Sequence, residues 1–129
     1  MKDFDSWNVY KQSLETRTKT IVPSKRQVWW MSVGVNVGDE EDGKNQNFER
    51  PVLVVKVFNT NIFLGVPITS TNQSGKKYYC PITYNGETYY AILSQIKLFS
   101  TKRLLRKITK VSSEDFQELK LLLAKTIGL

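Results

Sequence analysis

Histidine is absent from the 129 residues, and cysteine occurs once, at Cys80. The first absence removes the side chain that most often moves protons near neutral pH and the commonest metal ligand. Serine-histidine and cysteine-histidine mechanisms are thereby excluded. With a single thiol besides, a zinc site lacks a ligand set, so no metal or other cofactor is expected. No internal disulfide can form either. Also lacking is any uncharged apolar run near the ~18 residues that a membrane span needs. The start, Met1-Lys2-Asp3-Phe4-Asp5-Ser6-Trp7-Asn8, has neither the apolar core nor the small-residue cleavage site of a signal peptide. Together these absences point to a soluble, cytoplasmic protein without membrane contact. Acidic residues are in deficit too: 12 Asp and Glu against 19 Lys and Arg give a formal charge of +7. Such an excess favours a polyanion or an acidic protein as partner, with a merely basic surface as the bland alternative.

What remains is enough for one domain with a real core. Phe4, Trp7, Tyr10 and Leu14 fall at helical spacing behind Asp3 or Asp5 as a cap, and Thr16 to Ser24 reads as a linker closed by Pro23. Residues 1–25 are thus a helix and linker, and 26–129 the main domain. Gln27 to Val33 is a strand apolar on both faces, which belongs inside a barrel or under a helix. A long polar loop with Gly34, Gly38 and Gly43 leads to Arg50, and Pro51 is expected as the first residue of a second strand ending at Phe58. Ile62 to Ser70 is a third strand, with a bulge or bend at Gly65 and Pro67. Tyr78 to Tyr84 and Glu87 to Leu93 flank Asn85-Gly86, a strong hairpin signal, and Ser94 to Phe99 is expected to prolong the second of them. Lys97 to Lys110 contains no acidic residue and reads as the main basic segment. A terminal helix starts at Ser112 with Asp115 three residues on, burying Phe116, Leu119, Leu122, Leu123 and Ile127. The pattern is mainly β with flanking helices: an α+β fold built on a small, bent antiparallel sheet that is at least partly closed into a barrel.

Four features gather around one possible site: the glycine-containing acidic loop with Glu40, Arg50 at the loop's end, the Thr69-Ser70 pair ending the third strand, and Lys76 and Lys77 beyond it. The start of one antiparallel strand lies near the end of its hairpin partner, so Arg50 and Thr69 are candidates for neighbours. A guanidinium fork and a hydroxyl form a phosphate-binding pair. Taken singly, each residue has an ordinary reading as a surface arginine, a solvated loop carboxylate or a strand threonine.

The blocks Val28-Trp29-Trp30, Val37-Gly38-Asp39-Glu40, Arg50-Pro51-Val52-Leu53-Val54-Val55, Val66-Pro67-Ile68-Thr69-Ser70 and Leu93-Ser94-Gln95-Ile96, in this order between Arg26 and Ile127, resemble the MazF/PemK family. These are the ribonuclease toxins of type II toxin-antitoxin systems. The resemblance implies an SH3-like barrel of the MazF/CcdB toxin type, a homodimer, and metal-independent, sequence-selective cleavage of single-stranded RNA by 2'-OH attack, leaving a 2',3'-cyclic phosphate and a 5'-OH. It assigns the catalytic arginine to Arg50, the catalytic threonine to Thr69 and the loop glutamate to Glu40. Ser70, Lys76, Lys77, Gln95 and Lys97 are the accompanying candidates for RNA binding. A cognate acidic antitoxin would be the protein partner.

The chain also departs from the family pattern. Asp39-Glu40-Glu41 stands where many members read Ser-Glu-Gln or His-Glu-Gln, the stretch from Gly43 to Arg50 is longer than usual, and Ser94 replaces an aspartate. Two readings from other classes compete: a toxin that poisons gyrase as the CcdB family does, and a non-catalytic RNA-binding module in which Tyr78, Tyr79, Tyr89 or Tyr90 stack on bases. The same tyrosines read first as core or dimer contacts.

Overall fold

The computed structural model describes residues 2–18 and 21–129. Met1 and two residues of the expected linker, Lys19 and Thr20, lie outside the described residues. The element order is α1 (Phe4–Glu15), β1 (Gln27–Ser32), β2 (Glu49–Val57), β3 (Ile62–Thr69), β4 (Tyr79–Tyr84), β5 (Glu87–Ile92), β6 (Lys97–Ser100), β7 (Leu104–Lys110) and α2 (Ser113–Thr126), with single 3-10 turns at Leu93–Gln95 and Thr101–Arg103.

All seven strands pair antiparallel in the path β4-β5-β3-β2-β1-β7, with β6 set beside the first half of β3. No hydrogen bonds join β4 to β7, so the sheet is not closed. β3 is the pivot: Ile62–Gly65 pairs with β6, while Ile68 and Thr69 pair with β5. The expected prolongation of β5 through Phe99 does not occur. The chain turns at Leu93–Gln95, Leu93 is buried, and the following residues cross to β3 as β6. Lys97 to Lys110, expected as a basic segment with strand only up to Phe99, supplies two strands, and β7 pairs with β1 through two register shifts.

Alternation on the central strands explains the two-faced core. Leu53 of β2 packs with Val28, Val66, Ile68 and the Phe116 and Leu119 face of α2, while Val52 and Val54 pack with Met31, Phe63, Phe99 and Leu104. The register shift falls on β2 between Val54 and Lys56, and β3 runs without interruption through Gly65 and Pro67. Gly65 earns its place by close packing: a Cβ there would lie 2.7 Å from Val52. Pro51 is the third residue of β2, opposite Trp30 of β1. Asn85 and Gly86 both have positive φ, the mirror-image turn that matches the strand twist of a hairpin.

The helices follow their caps. Asp3 accepts the Ser6 N–H at 3.0 Å to start α1, and Ser112 Oγ accepts the Asp115 N–H at 3.1 Å to start α2. The Asp115 carboxylate does not return to its own cap but accepts the Thr83 N–H of β4 at 3.0 Å. Trp7, Leu14 and the half-buried Tyr10 dock α1 onto Val35 and Phe48, whereas Phe4 is 49% exposed, a turn before the contact begins. Similarly Ile127, expected in the buried stripe of α2, is 54% exposed because the helix ends at Thr126. No helix among the described residues is long and apolar enough to cross a membrane.

Candidate functional site

Arg50, Thr69 and Ser70 share one cleft of about 480 Å³, walled also by Trp30, Glu49, Tyr84 and Tyr89. The sheet register brings them together. The last β2–β3 pair is Val52–Pro67, so Ile68 comes opposite Pro51, which has no N–H to offer. The Ile68 carbonyl instead accepts from Arg50 Nη1 at 3.2 Å, and this bond leads the guanidinium toward the end of β3. Arg50 Nε donates to the Asp42 carbonyl at 2.9 Å, and Nη2 pairs with the Glu41 carboxylate at 3.0 Å. Every nitrogen of the fork thus has a partner within the chain. Thr69 Oγ1 accepts the Thr71 N–H at 3.2 Å, which leaves its own hydrogen for a ligand.

The remaining candidates lie elsewhere. Glu40 is exposed, its carboxylate accepts the Val37 N–H at 3.0 Å, and it lines a separate small pocket with Gln95 and Lys97. Gln95 Nε2 reaches the Asp39 carbonyl at 3.4 Å. Lys76 and Lys77 are exposed on the β3–β4 loop and line neither pocket; Lys77 Nζ sits over the Tyr78 ring, 5.1 Å from its centroid.

Residues of the cleft that the sequence did not single out complete its chemistry. Glu49, only 6% exposed, accepts two parallel bonds from Arg106 at 3.1 Å and one from Asn45 at 3.0 Å. Burial pushes its carboxyl up, but the bonds from Arg106 and Asn45 outweigh burial and leave it below the ordinary value. The guanidinium of Arg106 lies 5.1 Å from the Trp30 ring centroid. Tyr84 and Tyr89 stack at 4.2 Å with an 11° interplanar angle, and burial raises the pKa of both phenols, so both stay neutral around pH 7. Only the Asn85-Gly86 hairpin hinted at this pair, since it brings the ends of β4 and β5 together. Nothing local in the sequence signals the pairing of Glu49 with Arg106.

The cleft therefore combines a guanidinium and a hydroxyl with flat aromatic walls. That combination suits a phosphate joined to a planar group. Among the described residues no three Asp, Glu or Cys side chains converge as a metal site. Cys80 is buried in the core, and burial pushes its thiol up to about 11, so it is inert as a nucleophile near neutral pH.

Residues 24–127 match the family described as PemK-like, MazF-like toxin of type II toxin-antitoxin system. Among solved structures the fold is similar to MazF from Deinococcus radiodurans, at 18% identity and a TM-score of 0.70, over 84% of this chain and 99% of that one. It is also similar to an endoribonuclease from Mycobacterial species, at 16% identity and a TM-score of 0.65, over 85% of this chain and 95% of that one. A further similar structure is an endoribonuclease in complex with its cognate antitoxin from Mycobacterial species, at 18% identity and a TM-score of 0.63, over 84% and 97% of the two chains. At these identities the structural likeness speaks for the fold. Comparison with curated proteins gives no match.

Proposed function

The chain belongs to the PemK-like, MazF-like toxin family of type II toxin-antitoxin systems, and from that premise we propose that it is a cytoplasmic endoribonuclease toxin that cuts single-stranded RNA without a metal. The observation that carries the reading is the shared cleft of Arg50, Thr69 and Ser70 beside aromatic walls. In the proposed reaction the ribose 2'-oxygen attacks the adjacent phosphorus and its proton passes to a base. The bond from phosphorus to the 5'-oxygen breaks, and that oxygen leaves with a proton as a 5'-OH, while the other fragment keeps a 2',3'-cyclic phosphate. Arg50 offsets the charge growing on the equatorial phosphate oxygens, and Thr69 donates to one of them and fixes its orientation. Ser70 contacts the strand within the cleft, and Lys76, Lys77, Gln95 and Lys97 are its proposed contacts outside it.

Glu40 is the family-based candidate for the base. With its carboxylate bonded to Val37 and its side chain lining a separate pocket, it serves only after the loop changes shape. Glu49 is inside the cleft, but its bonds to Arg106 and Asn45 lower its basicity. The net charge of +7 suits both an RNA strand and an acidic antitoxin competing for the same surface. A homodimer is the proposed assembly.

Incubation of the purified protein with single-stranded RNA in chelator tests the reading. The expected products end in 5'-OH and 2',3'-cyclic phosphate, and Arg50→Ala lowers the rate by about 10²–10³-fold, the usual effect of removing one transition-state donor. Glu40→Gln is expected to cost less than Arg50→Ala. RNA that binds with steep salt dependence but stays intact would identify a binding module instead.

A further inference from the structure

The segment from Lys2 to Arg17, α1 with its two flanks, precedes the family match, which begins at residue 24, yet its contacts converge on the loop that closes over Arg50. Lys2 Nζ donates to the carbonyls of Asn36 and, at 2.9 Å, Gly38, and lies 3.3 Å from the Asp42 carboxylate. Asp42 is itself part of the site: its carboxylate accepts the Asn36 N–H at 2.7 Å and its carbonyl accepts Arg50 Nε. At the loop's two roots Trp7 takes over. Its ring lies against Gly34, where a Cβ would come within 2.2 Å of it, and it packs on Phe48 at 5.5 Å between centroids. The helix is anchored in turn on the Thr101–Arg103 turn, where Arg17 donates to the carbonyls of Lys102 and Leu104 and the Arg103 guanidinium lies over Trp7. Between these two grips sits Glu41, whose carboxylate holds Arg50 Nη2 while Ile68 holds Nη1.

We propose that α1 is a built-in clasp that keeps the loop closed, with Glu41 as an internal stand-in for a substrate phosphate on the Arg50 fork. Two-pronged recognition of a phosphate uses a pair of N–H groups along one edge of the guanidinium, Nη1 with Nη2 or Nε with Nη2, and in the closed loop Glu41 holds Nη2, which belongs to both edges, while Ile68 holds Nη1 and the Asp42 carbonyl holds Nε. An incoming phosphate must displace Glu41, and the ease of that exchange is set by how firmly Lys2 and Trp7 hold the segment 34–48. Glu41 therefore acts as a competitor, and Lys2 and Trp7 are positioning residues that act through the loop. The apparent affinity for RNA is the intrinsic affinity reduced by the fraction of molecules with the loop open. The consequence for RNA rests on the proposed function; the clasp itself does not.

The test uses the full chain as wild type, Lys2→Ala, Lys2→Arg, Trp7→Ala and Glu41→Gln. Amide hydrogen exchange over residues 34–48 reads the clasp without any ligand. Binding and cleavage are read with one single-stranded RNA and its 2'-deoxy, uncleavable counterpart. Lys2→Ala and Trp7→Ala are expected to speed exchange in the loop, with Lys2→Arg close to wild type. Glu41→Gln is expected to bind the uncleavable strand roughly three- to tenfold more tightly, corresponding to a closed fraction of about 70–90% in the wild type, with the gain in KM rather than kcat. Unchanged exchange in both Lys2→Ala and Trp7→Ala overturns the clasp. Weaker binding or slower cleavage by Glu41→Gln overturns its role as competitor and makes it a member of the machinery. Faster exchange with no RNA binding by any variant, wild type included, upholds the clasp and overturns the RNA reading.

Discussion

A buried carboxylate with three hydrogen bonds makes Glu49 the residue whose protonation matters most to the cleft wall. Its pKa is lower in the folded chain than the ordinary value of 4.5. The unfolded state therefore takes up its proton first as pH falls. The stabilisation is complete above about pH 4.5 and is lost as pH drops through the folded value. Glu49→Gln keeps the shape and removes the charge. Because Arg106 is half in solvent, the expected loss is about 1–2 kcal/mol rather than the full cost of a buried pair. Urea midpoints at pH 7 and pH 4 measure it: the difference between wild type and variant should be present at the first and shrink at the second. A difference independent of pH would mean that the amide disturbs packing rather than charge.

Among the elements, the loop from Gly34 to Phe48 is held by its own backbone although it has no regular structure. Gly43 shows why: its N–H donates to the Gly34 carbonyl at 2.7 Å, and a Cβ on it would lie 1.6 Å from the Phe48 carbonyl oxygen. Backbone cannot yield to a methyl group as a side-chain tip can. Gly43→Ala is thus expected to force the loop open and speed its hydrogen exchange, while the melting temperature of the sheet shifts little, since local opening is independent of the core. By contrast, Leu93→Ala strikes the corner between β5 and β6, where Leu93 is fully buried, and is expected to cost about 2–5 kcal/mol in global stability by denaturant titration.

The elements also show what a sequence can express. β1 to β5 and both helices were legible because apolar periodicity, Asn85-Gly86 and two polar caps all act locally. Of β6 the extended chain up to Phe99 was legible but not its place beside β3, and β7 was not legible: only its Leu104 is fully buried, and Arg106, Lys107 and Lys110 face solvent, so the period-2 signal is diluted by charge. In the candidate site, hairpin topology was enough to bring Arg50 to Thr69. Which of two adjacent loop glutamates meets the arginine was not legible, because one residue of loop geometry decides it. Nor was the pairing of Glu49 with Arg106 across 57 residues, which depends on β7 lying beside β1.

At the scale of the molecule, the excess of positive charge makes the proposed RNA binding testable through salt. If three to four phosphates are contacted, the logarithm of the RNA binding constant should fall against the logarithm of salt with a slope of about −2 to −3. Fluorescence anisotropy with an uncleavable strand, titrated at several salt concentrations, measures that slope. A flat dependence would indicate that aromatic stacking, rather than phosphate, dominates binding. Arg50→Ala should flatten the slope by less than one unit, since a single contact is removed.

An open sheet leaves β4 at its margin, where a stray strand from another molecule could dock and seed aggregation. Two features close that route. On the outward side of β4 Pro81 has no N–H to give, and the Thr83 N–H is already taken by Asp115 of α2. A foreign strand would find neither donor. Joint replacement of Pro81 by Val and Asp115 by Ala should restore both, and concentrated samples of that variant should scatter light within hours where the wild type stays clear. The contact between α2 and β4 thus does more than seat the helix: it also takes an outward donor off the margin of the sheet.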